Sequence, residues 1–499
     1  METVELYRIF EKTLSGIHAR GVFCHEGVSK QVYGFVSGDQ TISVRFMPDK
    51  AGLWEYTITT EEQELSGSFQ CVEAVKENHG PVRVEGNSFY YADGTRYMPF
   101  GTTCYGWVHQ EEIIRSQTID TLSRSPFNKV RMCLFPKSMV YNTGEPSLFP
   151  FHKDEQENWN VNAPNQEFWE MLEQQILTLD KLGIEADLIL FHPYDRWGFA
   201  VMNREDSLIY LRYVVRRLGA YKNIWWSLAN EFDLLPGKTE ADWDAFAACI
   251  YENDPSGHLL SIHNCCQPYP NREWMTHCSI QTNLCRQTLT LGWAYQKPIV
   301  IDECGYEGNI EFTWGNLSAF EMVNRFWTVV ACGGYATHGE TFYREDELLW
   351  WGKGGMLQGE SVARIAFLRQ LLESLPGTPQ VVMALLSMDP NGNAGDSGMG
   401  AFGAAMMRMP EASRTAFVAE LIPMIFGNNA YRIYYLGRTC PAWLDVQCPG
   451  DGCYHAEAID VWNMTRTPAG QIVGSGRIKL PAREGQAVLL WKNEQEDAT

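Results

Sequence analysis

At 499 residues the chain is too long for one ordinary domain and long enough for two or three. Its 45% hydrophobic and 20% charged content excludes a disordered chain. A net charge of −21 argues against nucleic acid or an anionic membrane surface as partner, since both need clustered Lys and Arg.

The opening METVELYRIFEKTLSG scatters its charges and holds no apolar run of signal-peptide length, and no later stretch approaches a membrane span. Fourteen cysteines show no metal spacing of the CxxC type, and several (Cys104, Cys133, Cys304, Cys332) sit inside apolar runs as small hydrophobes. Reduced thiols, a cytoplasmic location and no metal or other cofactor are expected.

Residues 1–80 predict a small β-sandwich. QVYGFVSGDQTISVRFMPDKAGLWEYTITT alternates with period two between Gly-Asp and Lys-Ala-Gly turns. VKENHGPVRV reads as a polar linker. From 81 to 376 strands alternate with helices, which predicts parallel β/α units. Eight strands are expected at 97–103, 129–135, 184–192, 223–230, 258–264, 279–284, 298–303 and 333–340. EFWEMLEQQILTLDKLG and SLIYLRYVVRRLGAY are amphipathic helices between them, each stopping at Gly. The fold class is α/β, a (β/α)8 TIM barrel flanked by an N-terminal and a C-terminal β-sandwich. Residues 377–499 form the last of these, with TAFVAELIPMIF as a helical candidate before the strands resume. The segment 136–166 is a long connection with little helical pattern. It is expected either to wall one end of a cleft or to pack on a neighbouring domain or subunit.

Two of the strands carry the chemistry. NIWWSLANEFD places Asn230 and Glu231 after the fourth, and PIVIDECGYEG places Glu303 at the end of the seventh. Side chains at the carboxyl ends of barrel strands share one mouth. Two carboxyl groups there supply what hydrolysis of a glycosidic bond requires. A separation of about 5–5.5 Å would mean retention, and about 6.5–9.5 Å inversion.

Asn-Glu ending strand four and a lone Glu ending strand seven resemble the signature of clan A glycoside hydrolases. The resemblance implies Glu231 as acid/base, Glu303 as nucleophile, Asn230 as partner of the sugar 2-hydroxyl, and Arg131 of KVRMCLF as support for the nucleophile. With NHGPVRV, FGTTCYGWVHQ and IDVWNM, the whole chain is similar to a bacterial group that joins an N-terminal β-sandwich of unknown role to such a barrel and a small C-terminal β-domain. Two positions depart from the better-known members. Strand six reads Gln281-Thr-Asn283 where a His-x-Tyr is usual, and strand eight reads His338-Gly-Glu340 where a Trp platform is usual. The sugar therefore does not carry over.

Further substrate-binding candidates surround these. His192, Asp195 and Trp197 follow strand three, with a structural His–Asp pair as the alternative. His263 ends strand five, either as a sugar contact or as a partner of Glu231. His338 and Glu340 are expected to reach the glycone, with Tyr306 beside the nucleophile. Tyr105 and Trp107 after strand one are stacking platforms or core, and Trp350 and Trp351 could supply a subsite floor. Asp302 should alternate away and pair structurally.

The expected function is a retaining, exo-acting glycosidase for short oligosaccharides or glycosides. One competitor is a catalytically silent sugar-binding barrel. Another is a metal-dependent hydrolase built on His192, His263 and His338, which lacks the usual HxH pair on strand one. The expected partner is a small carbohydrate, and the flanking sandwiches would shape the cleft or build a homo-oligomer.

Overall fold

The computed structural model describes residues 1–382 and 405–492. Residues 383–404 and 493–499, which belong to the expected C-terminal domain, lie outside the described residues. The chain forms two compact units, Met1–Gln281 with Tyr343–Leu357, and Thr282–Phe342 with Gln358–Thr499.

The first unit begins with two antiparallel-rich sheets. Glu2–Glu5, Glu64–Val72, Gly52–Thr60, Ala19–His25 and Val28–Tyr33 form the larger, and Phe10–Ser15, Thr41–Phe46 and Phe35–Gly38 the smaller. Their inward residues alternate along each strand and meet in an aromatic core. Phe10 stacks on Phe69 at 4.3 Å and Phe23 on Phe46 at 4.2 Å. Each such ring, fully buried, contributes about 1.5–3 kcal/mol. Arg45 from this sandwich and Arg217 from the helix Arg204–Leu218 both bind Glu173 of the helix Gln166–Lys181, Arg217 through Nε at 2.6 Å.

Part of the expected linker is structured. Val82–Glu85, Ser88–Tyr91 and Arg96–Tyr97 make a three-stranded antiparallel sheet. Its first turn needs Gly86, at φ +59°. Phe89 and Tyr97 then pack on Trp225 of the barrel.

All eight expected barrel strands are present: Phe100–Thr103, Lys129–Cys133, Glu185–Phe191, Ile224–Ala229, Leu259–Ser261, Cys278–Gln281, Ile299–Glu303 and Tyr335–His338. They form one sheet with the spatial order 5-4-3-2-1-8-7-6, and a bridge between His263 and Ser279 joins the fifth to the sixth. The second, third and fourth are buried along their whole length, as parallel strands covered on both faces must be. Lys129 is tolerated there because Asp187 meets it at 2.6 Å.

The helices stop where the sequence indicates, for different reasons. Gly183 adopts φ +68°. Gly219 does not; a Cβ there would stand 2.6 Å from the Val215 carbonyl oxygen. Within the long connection, Phe151–Lys153 and Trp159–Pro164 form a short hairpin.

The second unit carries strands seven and eight, the helices Thr288–Tyr295, Ala319–Ala331 and Ser361–Glu373, and the C-terminal strands. Glu411–Leu421 is helical, but Met424–Gly427 at the end of TAFVAELIPMIF is a strand. That strand joins a six-stranded sheet whose core includes Val446, Tyr454, Val488 and Leu490. Among the described residues no helix is long and apolar enough to cross a membrane. All fourteen cysteines are free thiols.

Candidate active site

In the first unit a continuous hydrogen-bond chain runs across the ends of strands one, two and four. Arg131, wholly buried, donates through Nη2 to the Asn230 side-chain oxygen at 2.7 Å and through Nη1 to the Tyr105 hydroxyl at 3.0 Å. Tyr105 also donates to Asn230, at 3.3 Å. With its oxygen held, the Asn230 amide is fixed in orientation, and its Nδ2 donates to the Glu231 carboxylate at 3.0 Å.

Glu231 is left-handed, at φ +47° and ψ +56°, so the chain turns sharply as strand four ends. A non-glycine residue held there costs about 1–3 kcal/mol, and such residues cluster at functional sites. The Phe232 amide donating to the His263 carbonyl at 2.9 Å helps to hold the turn. His263 is itself held by Ser279 at Nδ1 (3.2 Å) and by Gln281 at Nε2 (3.3 Å). Cys265 lies beside Glu231. Burial, the Cys266 thiol and the negative charge of Glu231 push its own thiol upward.

His192, ending strand three, is buried and bonds the Phe135 carbonyl through Nε2 at 3.1 Å. Burial, and next the charge of Lys137, hold its pKa down at about 3, so it is neutral. Asp195 accepts from the amides of Trp197, Gly198 and Ala200 and so braces its own loop. Trp107 is wholly buried. Trp350 donates to Thr102 at 2.9 Å. Trp351 stands edge-on to Tyr105 at 5.8 Å and takes the Tyr105 amide on its carbonyl.

Lys137 escaped the sequence reading. Although it is a lysine in a loop, it is only 5% exposed. Its Nζ stands 3.4 Å from the ring centre of Tyr105, 4.3 Å from Tyr194 and 5.0 Å from Trp351. The only sequence signal is its place two residues after the apolar run RMCLF.

In the second unit Glu303 ends strand seven half-buried, while Asp302 points to the core and accepts from Thr337 at 2.6 Å. Tyr306 is buried with its ring edge-on to Trp314 at 5.9 Å. Beyond the two strand ends pairing resumes for two residues, Glu307–Gly308 alongside Glu340–Thr341. Glu307, missed in the sequence, thereby meets Glu340 and His338, with ligand-type atoms within 4.8 Å of one another.

Three such groups could hold a cation, but the carboxylates are already engaged. Glu340 accepts from the amides of Gln358 and Gly359, and Glu307 from the amides of Glu360 and Ser361 and the Ser361 hydroxyl. Glu307 thus caps the helix Ser361–Glu373, whose positive end favours an anion and opposes a cation, while Glu340 binds the two amides just before its N-cap Glu360. Burial pushes Glu340 up to about 8, with the charge of Glu307 adding to the rise. Burial also lowers His338 to about 3.

Residues 84–377 match the family model described as apiosidase-like, catalytic domain. Two models of domains of unknown function match residues 14–61 and 421–491. Among solved structures, the chain is similar to a Bacteroides vulgatus protein described as a candidate glycoside hydrolase, at 32% identity and a TM-score of 0.86, covering 99% of this chain and all of that one. A family 5 glycoside hydrolase from the same species shares the fold at 14% identity and a TM-score of 0.60, over 84% of this chain and 94% of that one. Among curated proteins none matches.

Proposed function

The chain belongs to the family of apiosidase-like catalytic domains, and from that premise we propose that it is a retaining glycoside hydrolase with Glu231 as acid/base and Glu303 as nucleophile. The observation that carries the reading is the bonded series Arg131–Asn230–Glu231 at the ends of barrel strands two and four. An amide whose oxygen is already committed can present its N–H only to the carboxyl and to a sugar hydroxyl.

In the first step Glu303 attacks the anomeric carbon while Glu231 gives its proton to the departing glycosidic oxygen. The glycosyl–Glu303 ester is then hydrolysed by a water that Glu231, now ionised, deprotonates. The fixed amide of Asn230 would bind the 2-hydroxyl, a contact that strengthens as the oxocarbenium-like state forms. The substrate proposed is a short glycoside ending in apiose, or in another small furanose, cleaved from its end.

Exo action is supported by how the long loop is tied down. Ser138 donates its amide to the Tyr194 carbonyl at 2.8 Å, Arg196 donates to the Thr143 carbonyl at 2.9 Å, and Glu145 binds Arg196 at 2.7 Å. Fourteen free thiols fit the expected cytoplasmic setting and small imported substrates. In this layout residues 1–80 and 377–499 serve the barrel, 81–376, as flanking modules.

The test is a panel of aryl hexosides, pentosides and furanosides. The first-formed product is read by NMR, alongside a Glu303→Ala variant. Retained configuration and loss of turnover in the variant are expected. An inverted product, or unchanged turnover, would sink the assignment. Sugar binding without any turnover would leave a silent binding barrel instead.

A further inference from the structure

Cys265 and Cys266 are neighbours in sequence, and their sulfurs are neighbours in space, 3.3 Å apart in the loop after strand five. Cys266 is exposed and Cys265 half-buried. The backbone that carries the pair is fixed from one side. The amides of Cys265, Cys266 and Gln267 all donate to the Asp233 carboxylate, each at 2.7 Å. Cys265 also takes a long contact from the Gln281 amide, at 4.0 Å, and lies beside Glu231.

Asp233 connects this dithiol to the chemistry. It stands two residues after Glu231, inside the single turn Phe232–Leu234 that follows the left-handed Glu231. Its three bonds to the loop, with the bond from the Phe232 amide to the His263 carbonyl, join that turn to the segment bearing the thiols.

A disulfide needs the two sulfurs to close from 3.3 Å to ~2.05 Å. Cys266 is the one to react first. It faces solvent, whereas burial, the Cys266 thiol and the charge of Glu231 keep the proton on Cys265. The Cys266 thiolate attacks a low-molecular-weight disulfide, RSSR, and displaces one RS⁻. Cys265 then gives its proton to solvent, attacks the Cys266 sulfur and displaces the second RS⁻. The pair loses two electrons and two protons, and RSSR becomes two RSH. Adjacent Cα atoms stand about 3.8 Å apart, inside the ~4.4–6.8 Å usual for a disulfide. The ring is therefore strained and readily reopened by thiols. Relieving that strain turns the linking peptide, which takes the Cys265 and Cys266 amides off Asp233.

We propose that Cys265–Cys266 is a site of reversible oxidation, closed by small disulfides and reopened by thiols, and that closing it switches the enzyme off by releasing Asp233 and with it the turn that presents Glu231. The loss of turnover rests on Glu231 being the acid/base; the closing of the pair and the release of Asp233 do not.

The experiment incubates the wild-type chain with glutathione disulfide, alkylates the remaining thiols in denaturant and reads the tryptic peptide 239–272 by mass spectrometry. The peptide should have lost two hydrogens, unalkylated at Cys265 and Cys266 and alkylated at the buried Cys249. Hydrolysis of an aryl glycoside should fall in parallel by about 10- to 100-fold, the scale of a small misplacement in an active site, and return with dithiothreitol. Amide exchange at 265–267 should quicken as those groups lose Asp233. Cys266→Ser should keep its turnover and be indifferent to the disulfide. A peptide that keeps all three thiols, a pair that closes without loss of turnover, or a Cys266→Ser chain equally inhibited would overturn the proposal; the wild-type series stands even if the variant does not fold. Should the wild type hydrolyse no glycoside, mass and amide exchange decide the switch by themselves. A closed pair with quickened exchange at 265–267 keeps the site and removes the hydrolase, and a closed pair with unchanged exchange overturns the switch.

Discussion

Arg131 and Asn230, 99 residues apart in the chain, meet at 2.7 Å with neither side chain exposed to solvent. The guanidinium takes up the amide oxygen, so the amide nitrogen is left in the orientation that reaches Glu231. This makes Arg131 a positioning residue for Asn230, acting before any substrate arrives.

Arg131→Lys therefore should not rescue Arg131→Met. A lysine cannot serve Asn230 and the Tyr105 hydroxyl with one planar fork. Both variants are expected to lose about 100-fold in kcat/KM, the order of effect of small misplacements in an active site. Asn230→Ala should lose a similar factor on the parent glycoside and little on a 2-deoxy analogue. Steady-state kinetics on the two substrates check this.

Glu340 gives the fold a pH signature. Its folded value of about 8 lies above the 4.5 of an ordinary glutamate. The folded chain thus binds a proton that the unfolded chain releases. The associated stability is fully present below about pH 4.5 and lost as pH rises to about 8, on the order of a few kcal/mol. Glu185, likewise buried and raised to about 8, contributes over the same window. Thermal midpoints measured from pH 5 to 9 should fall along that limb, and Glu340→Gln should flatten it relative to the wild type.

The acid limb has the opposite cause. Burial holds His109 down at about 4, and His192 and His338 at about 3. Their stability is present above the usual 6.5 and lost as pH falls towards those values, because the unfolded chain gains protons that the folded chain refuses. His338→Gln should shallow this acid limb in a midpoint-against-pH series while leaving the limb above pH 7 unchanged.

Gly359 lies against the carboxylates of Glu307, which caps the helix Ser361–Glu373, and Glu340, which binds the amides just before it. A Cβ there would stand 2.3 Å from a Glu307 oxygen and 2.6 Å from a Glu340 oxygen. Gly359→Ala is expected to destabilise by about 1–3 kcal/mol, as overpacking of a filled site does. Urea unfolding with an unchanged m-value would show it.

The barrel was legible because parallel strands covered on both faces must be nearly continuous apolar runs, and IWWSLA and EADLILF are just that. The small sheet at 82–97 was missed because its strands are two to four residues long. Only the Glu-Gly-Asn and Asp-Gly turns betray it. Asn230 and Glu231 follow the fourth strand and Glu303 ends the seventh, as their apolar runs indicate. Lys137 and Glu307 could not be found that way, since each acquires its setting from loops distant in sequence, Lys137 from Tyr105, Tyr194 and Trp351, and Glu307 from the segment 360–361. The role of Glu340 changes most on seeing its neighbours. Its oxygens accept from the Gln358 and Gly359 amides, a setting that depends on a segment eighteen residues further along the chain.

The central claim is that Glu303 forms the covalent bond while Glu231 handles the proton. It is tested most directly by incubating the chain with a 2-deoxy-2-fluoro aryl glycoside of the sugar it hydrolyses, then mapping the peptides by mass spectrometry. One glycosyl group per chain, on the peptide containing Glu303, is the predicted result. Continued turnover without labelling, or a label on any other carboxylate, would contradict it.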